Sequence, residues 1–129
     1  MKELNELYLS DNQISDINIL EKVNFKELKQ LGLGVNNISD IKVLEKVKFE
    51  KLEILNLTRN KISDINILEK VNFKELKELD LRYNNISDIK VLEKVKFEKL
   101  EKLHLGGNKI SKSDKNSIKQ KLKIKELRI

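Results

Sequence analysis

The sequence repeats itself every 24 residues, and that period constrains the fold more than any other feature. Leu4, Leu28, Leu52, Leu76 and Leu100 keep this spacing, as do Asn12, Asn36, Asn60, Asn84 and Asn108, and Phe25, Phe49, Phe73 and Phe97. A fixed period of this size marks a solenoid: one unit alone cannot bury its apolar side, but stacked units share a continuous core. Within each unit the leucines of "LYL" alternate around Tyr8, the period of a half-buried strand, and Ile17, Leu20 and Val23 follow at helix-like spacing. Each coil is therefore expected to hold one short strand, a turn and a short helical arc. Strands of successive coils would add in parallel, about 4.8 Å apart.

The full unit reads L-x-x-L-x-L-x-x-N-x-I-S-D-I-x-x-L-E-K-V-x-F, as in "LNELYLSDNQISDINILEKVNF" from Leu4. This pattern resembles the leucine-rich repeat family, and its "NxISDIxxL" segment is similar to the short bacterial internalin type. The resemblance covers essentially the whole chain. It implies an α/β fold: a right-handed solenoid with a parallel β-sheet on the concave face and helical arcs on the convex face. It also implies a non-catalytic, protein-binding role.

Asn12, Asn36, Asn60, Asn84 and Asn108 are expected to form a polar column inside that core. An amide carries both donors and acceptors, so it can satisfy backbone groups where each strand turns away from the sheet. The "SD" pairs, beginning with Ser15 and Asp16, read as turn and helix-start chemistry rather than as metal sites. Residues 1–111 form the repeat array. In residues 112–129 the arc changes to "SDKNSIKQKL", a polar helix with Ser113 or Asp114 as candidate N-cap and Ile118 and Leu122 inward. Ile124, Leu127 and Ile129 then continue the leucine spacing, which predicts a closing strand. No comparable cap precedes Leu4, so the first coil is expected to show an open apolar edge. That edge fits a monomer cut from a longer solenoid, or a dimer joined through two N-terminal ends.

Composition narrows the chemistry further. The chain has 129 residues, no Cys, no Pro and no Trp, so disulfide scaffolds, thiolate zinc sites and thiol catalysis are excluded. A reducing compartment fits this best, and with no signal-like leader or apolar membrane span the expected location is cytoplasmic. The net charge of +6 lies entirely in the C-terminal segment: from Lys109 onward there are 8 basic and 2 acidic residues, against 19 and 19 before it. This basic segment offers an alternative role in binding nucleic acid or an anionic membrane. No aromatic residue accompanies it for base stacking, so solvated surface is the preferred reading.

A 48-residue period lies over the shorter one. Residues 36–53 and 84–101 are identical, and residues 12–29 and 60–77 differ only at Gln13 and Lys61. The intervening windows behave oppositely. "ELYLSD" against "ILNLTR", and "QLGLGV" against "ELDLRY", differ at every position other than leucine. With the leucines inward, those variable residues point out of the sheet on its concave face or lie at its rim. The candidate binding surface is therefore Tyr8, Gln30, Gly32, Val35, Ile54, Asn56, Thr58, Arg59, Asp80, Arg82, Tyr83, Lys102 and His104. Its tyrosines, arginines and exposed aliphatics suit a protein partner. A structural or designed scaffold without a natural ligand is the competing account.

Sharper chemistry is not favoured. The glycines of "GLG" lie on a strand rather than before a helix, so they are read as letting a partner approach the backbone, not as a phosphate cradle. His104 is the single histidine and Asp80 its neighbour one strand away, but a dyad also needs a nucleophile and an oxyanion site. The expectation is a protein with no catalytic residues, no metal and no cofactor.

Overall fold

The structure is a computed structural model and describes residues 3–129. Six three-residue strands form one parallel sheet in chain order: β1 (Glu6–Tyr8), β2 (Gln30–Gly32), β3 (Ile54–Asn56), β4 (Glu78–Asp80), β5 (Lys102–His104) and β6 (Glu126–Arg128). Every pairing is offset by 24 residues, so Leu7, Leu31, Leu55, Leu79, Leu103 and Leu127 stand side by side. The strands are short because each chain leaves the sheet after one inward and two outward residues. Bonds between coils nevertheless continue beyond them, as in Leu33 N–H to Asn56 O at 2.8 Å and Val35 N–H to Thr58 O at 2.8 Å.

The core is a set of columns. Leu28, Leu52 and Leu76, then Leu33, Leu57 and Leu81, then Ile38, Ile62 and Ile86 are all essentially inaccessible to solvent. Phe49 and Phe73 close the far side, with Phe25 stacked on Phe49 at 6.5 Å between ring centres. At the first coil the columns run open. Leu4 is exposed, and Leu7, Leu9 and Ile14 are only partly covered.

The convex arcs are four-residue 3₁₀ turns at Asn18–Glu21, Lys42–Glu45, Asn66–Glu69 and Lys90–Glu93, shorter than the helical spacing of their sequences implies. Each is opened by the Asp of its "SD" pair, whose Oδ1 accepts a backbone N–H two residues on, from Asp16 and Asn18 at 2.8 Å to Asp88 and Lys90 at 3.0 Å. This local bond competes with regular helix and holds the turn tight. One turn suffices to bring Leu20, Leu44, Leu68 and Leu92 inward.

In the fifth coil α1 (Lys112–Lys121) replaces the 3₁₀ turn. Its N-cap is Ser111, whose Oγ accepts the Asp114 N–H at 3.1 Å, rather than Ser113 or Asp114. Starting there puts Asp114 in the first turn, where negative charge is favoured, and leaves room for Ile118 to be buried. Leu122 packs on the core, and β6 follows with Leu127 in the leucine row.

The asparagine column joins neighbouring coils. Asn60 Oδ1 accepts the Ile38 N–H of the coil before, while its Nδ2 donates to Leu33 O there and to Leu57 O and Thr58 O of its own coil. Asn36, Asn84 and Asn108 repeat the pattern. Asn36, Asn60 and Asn84 are buried and Asn108 is half-buried. Asn12 departs from the expectation: it is exposed and donates only to Leu9 O and Ser10 O within its own coil.

Candidate functional site

Strand alternation puts the variable residues on one surface. Between the inward leucines, Glu6 and Tyr8, Gln30 and Gly32, Ile54 and Asn56, Glu78 and Asp80, and Lys102 and His104 stand opposite one another in register. The same register adds Glu126 and Arg128 of β6, which carrying the 24-residue spacing past His104 would have found.

Tyr8 and Tyr83 are each laid over a glycine of the next coil. A β-carbon on Gly32 would stand 2.9 Å from Tyr8 Cδ1, and one on Gly107 would overlap the Tyr83 ring. Gly32 is therefore buried under Tyr8 and does not expose open backbone to a partner. Its lack of a side chain seats the ring instead. Tyr8 Oη is bonded to Gln30 Oε1 at 2.6 Å and to Glu6 Oε1 at 3.0 Å. The bond to the Glu6 carboxylate raises the phenol pKa above its ordinary value. The space beside Gly34 is likewise filled, since a β-carbon there would stand 2.7 Å from Thr58 Oγ1. Thr58 is in turn held by Asn56 Oδ1 at 2.9 Å.

Further along, charges neutralise one another. Asp80 accepts bonds from the Arg82 backbone N–H and from its guanidinium, the shortest being Nε to Oδ1 at 2.9 Å and Nη2 to Oδ2 at 2.6 Å, and the side-chain bonds raise the guanidinium pKa further. Lys102 lies 3.4 Å from Glu78, and Arg128 3.4 Å from Glu126. His104 is aligned with Asp80 at only 4.0 Å, whereas its Nε2 lies 2.7 Å from Glu126 Oε2. That bond holds the Glu126 carboxyl below its usual pKa. Ile54, Asn56, Asp80, Arg82, Lys102 and His104 line a shallow hollow of about 190 Å³ on this face. A larger one of about 530 Å³ lies on the convex side between two 3₁₀ turns, beside Asp40 and Asp64, away from the variable residues.

The position of the rim column was legible in the sequence, but its backbone conformation was not. Asp11, Val35, Arg59 and Tyr83 all adopt left-handed backbone, with φ of 60°, 54°, 54° and 57°, and Gly107 follows at 72°. This conformation lets the chain turn from strand to asparagine, and it costs an L-residue about 1–2 kcal/mol. Gly107 in the same column was the available signal. Val35 is the extreme case, being β-branched and still 40% exposed. Arg59 lies with its guanidinium carbon 4.3 Å from the centre of the Tyr83 ring. Tyr83 is thus clamped between Arg59 and Gly107 while half of it faces solvent.

Family comparison agrees with this architecture. The family model of leucine-rich repeats, two copies, matches residues 2–46, 26–70 and 74–120. The chain belongs to the leucine-rich repeat family. No curated protein matches it. Among solved structures, an internalin of Listeria monocytogenes is 28% identical with a TM-score of 0.72, covering 96% of this chain and 41% of its own. A leucine-rich repeat protein of Leptospira interrogans is also 28% identical, with a TM-score of 0.78, covering 95% and 30%. Internalin C2 of Listeria monocytogenes is 30% identical with a TM-score of 0.69, covering 84% and 44%. The repeat protein thus spans less than half the length of each of these relatives. Leucine-rich repeat folds commonly mediate protein–protein interaction and are generally non-catalytic. Among the described residues no helix is long and apolar enough to cross a membrane.

Proposed function

We propose that this leucine-rich repeat array, residues 1–111 closed by a cap at 112–129, is a non-catalytic module that binds a protein partner through its concave sheet face. One observation carries the reading: outward positions of the strands differ at every non-leucine site between coils whose remaining residues are nearly identical. The rim supports it, because Val35 adopts an unfavourable backbone conformation while its side chain stays largely outside the core. Tyr8, Tyr83 and the arginines supply the rigid amphipathic contacts that dominate such interfaces.

The test is capture of partners from cell extract by the wild-type chain and by a Tyr83→Ala/Arg82→Glu double variant. Both residues are exposed, so the variant is expected to fold and to lose the partners that the wild type retains. Equal capture by both would remove the concave-face reading.

A further inference from the structure

Four cations project from the sheet face and its rim beyond β2, and three of them are neutralised by the fold itself. Arg82 is held by Asp80, Lys102 by Glu78 and Arg128 by Glu126. The fourth is Arg59, whose close contact is the Tyr83 ring, and no ion pair to Arg59 occurs among the described residues. Stacking uses the flat face of a guanidinium and leaves its in-plane N–H donors free for a bidentate carboxylate. On either side of Arg59 along the rim stand Val35 and Tyr83, both substantially exposed. All three share left-handed backbone, so the strip aliphatic, cation, aromatic is presented in one fixed row.

We infer that this rim strip recognises an extended acidic segment of a protein partner, with an Asp or Glu bound by Arg59 between two apolar side chains on Val35 and Tyr83. The inference rests on the reading of this face as a binding surface. Coils stack about 4.8 Å apart, so Val35 and Tyr83 lie roughly 10 Å from one another along the solenoid axis, close to the three-residue repeat of an extended polyproline II segment, whose side chains i and i+3 face the same way about 9 Å apart. The matching segment has two apolar residues three positions apart with a carboxylate between them. Pre-organisation favours such a site: Tyr83 is already clamped between Arg59 and Gly107, so little side-chain freedom is lost on binding.

The probe is an immobilised array of peptides carrying apolar residues three apart with Asp or Glu between, beside copies in which Lys replaces the acid. The whole 129-residue chain is applied as wild type, Arg59→Glu, Val35→Asn and Tyr83→Ala/Arg82→Glu. Asn tolerates left-handed backbone, so Val35→Asn keeps the turn while removing the aliphatic contact; thermal melting verifies that each variant is folded. The expected result is retention of acidic peptides by the wild type, retention about tenfold or more weaker for Arg59→Glu together with a gain for the Lys copies, and weaker retention by a Val35→Asn variant of undiminished melting temperature. Equal retention of acidic and Lys peptides by the wild type, or an acid preference that survives in Arg59→Glu, overturns the inference. Retention without acid preference that is lost in the Tyr83→Ala/Arg82→Glu variant leaves the concave-face reading standing alone. No retention from the array overturns the inference as well, and the extract experiment then decides the wider reading separately.

Discussion

The solvent-facing residues of this solenoid follow two rules, one on the concave face and another on its flank. Along the flank, the columns Glu27, Lys51, Glu75, Lys99 and Lys29, Glu53, Lys77, Glu101 reverse sign at every coil. Neighbours pair accordingly: Lys51 to Glu27 at 2.8 Å, Lys77 to Glu53 at 3.9 Å and Lys99 to Glu75 at 2.7 Å. These pairs raise the Lys51 and Lys99 pKa values and lower that of Glu75. A column of one sign would set like charges about 4.8 Å apart. In these two columns reversing the sign at each coil removes that repulsion and follows the 48-residue period, whereas the convex columns Glu21, Glu45, Glu69, Glu93 and Lys22, Lys46, Lys70, Lys94 keep one sign throughout. The concave columns obey no such rule. There Tyr8 finds its glycine, Asp80 its arginine and His104 its glutamate through individual matches. Flank positions thus repeat one complementary pairing from coil to coil, whereas concave positions are matched to their neighbours one by one.

The largest break in this contrast comes from removing what both faces depend on. Asn60→Ala would orphan the buried Ile38 N–H and remove one of the two donors that reach each of the Leu33, Leu57 and Thr58 carbonyls, and an expected loss of about 2–3 kcal/mol follows. Asn12→Ala, at the exposed end of the column, is expected to cost under about 1 kcal/mol. Urea denaturation of the two variants compares them directly, and equal losses would contradict the inter-coil role of the column.

Next in size is a change on the variable side with the opposite sign. Val35→Asn relieves a β-branched residue at φ 54° and is expected to stabilise the chain by about 1 kcal/mol in the same denaturation series. A loss instead would mean that the Val35 side chain contributes packing that outweighs the backbone strain.

A smaller effect should separate the flank from the face. Lys51→Glu would set a carboxylate between Glu27 and Glu75, lowering the thermal midpoint at low ionic strength and much less at high salt, because exposed pairs are screened. Adding Glu27→Lys should recover part of the loss. Persistence of the whole loss at high salt would show that it is not electrostatic.

The smallest concerns the end of the sheet. Glu126 has a folded pKa below its ordinary value, chiefly through its bond to His104, so its contribution is present above the ordinary carboxylate pKa and fades as pH falls through the lowered value. Glu126→Gln should therefore be slightly less stable than wild type at neutral pH and no different in strong acid. A gap that does not close with acid would assign the effect to packing.

The repeat, the inward leucine rows, the parallel order of six strands and the concave position of the variable residues are all consequences of a one-dimensional period. A strict 24-residue spacing admits one way of stacking, and strand alternation then assigns every outward side chain. Ser111, by contrast, escaped recognition as the cap because helix starts shift with packing by a residue or two. The left-handed rim, the burial of Gly32 under Tyr8, the clamp on Tyr83 and the pairing of His104 with Glu126 depend on backbone dihedrals and on contacts between residues a full coil apart. No local pattern carries that information. A fixed period and strand alternation are enough to assign the residues of the face. Contacts across a full coil settle which of them lock together, as Arg59 does on Tyr83, and which, like Val35, are left turned outward.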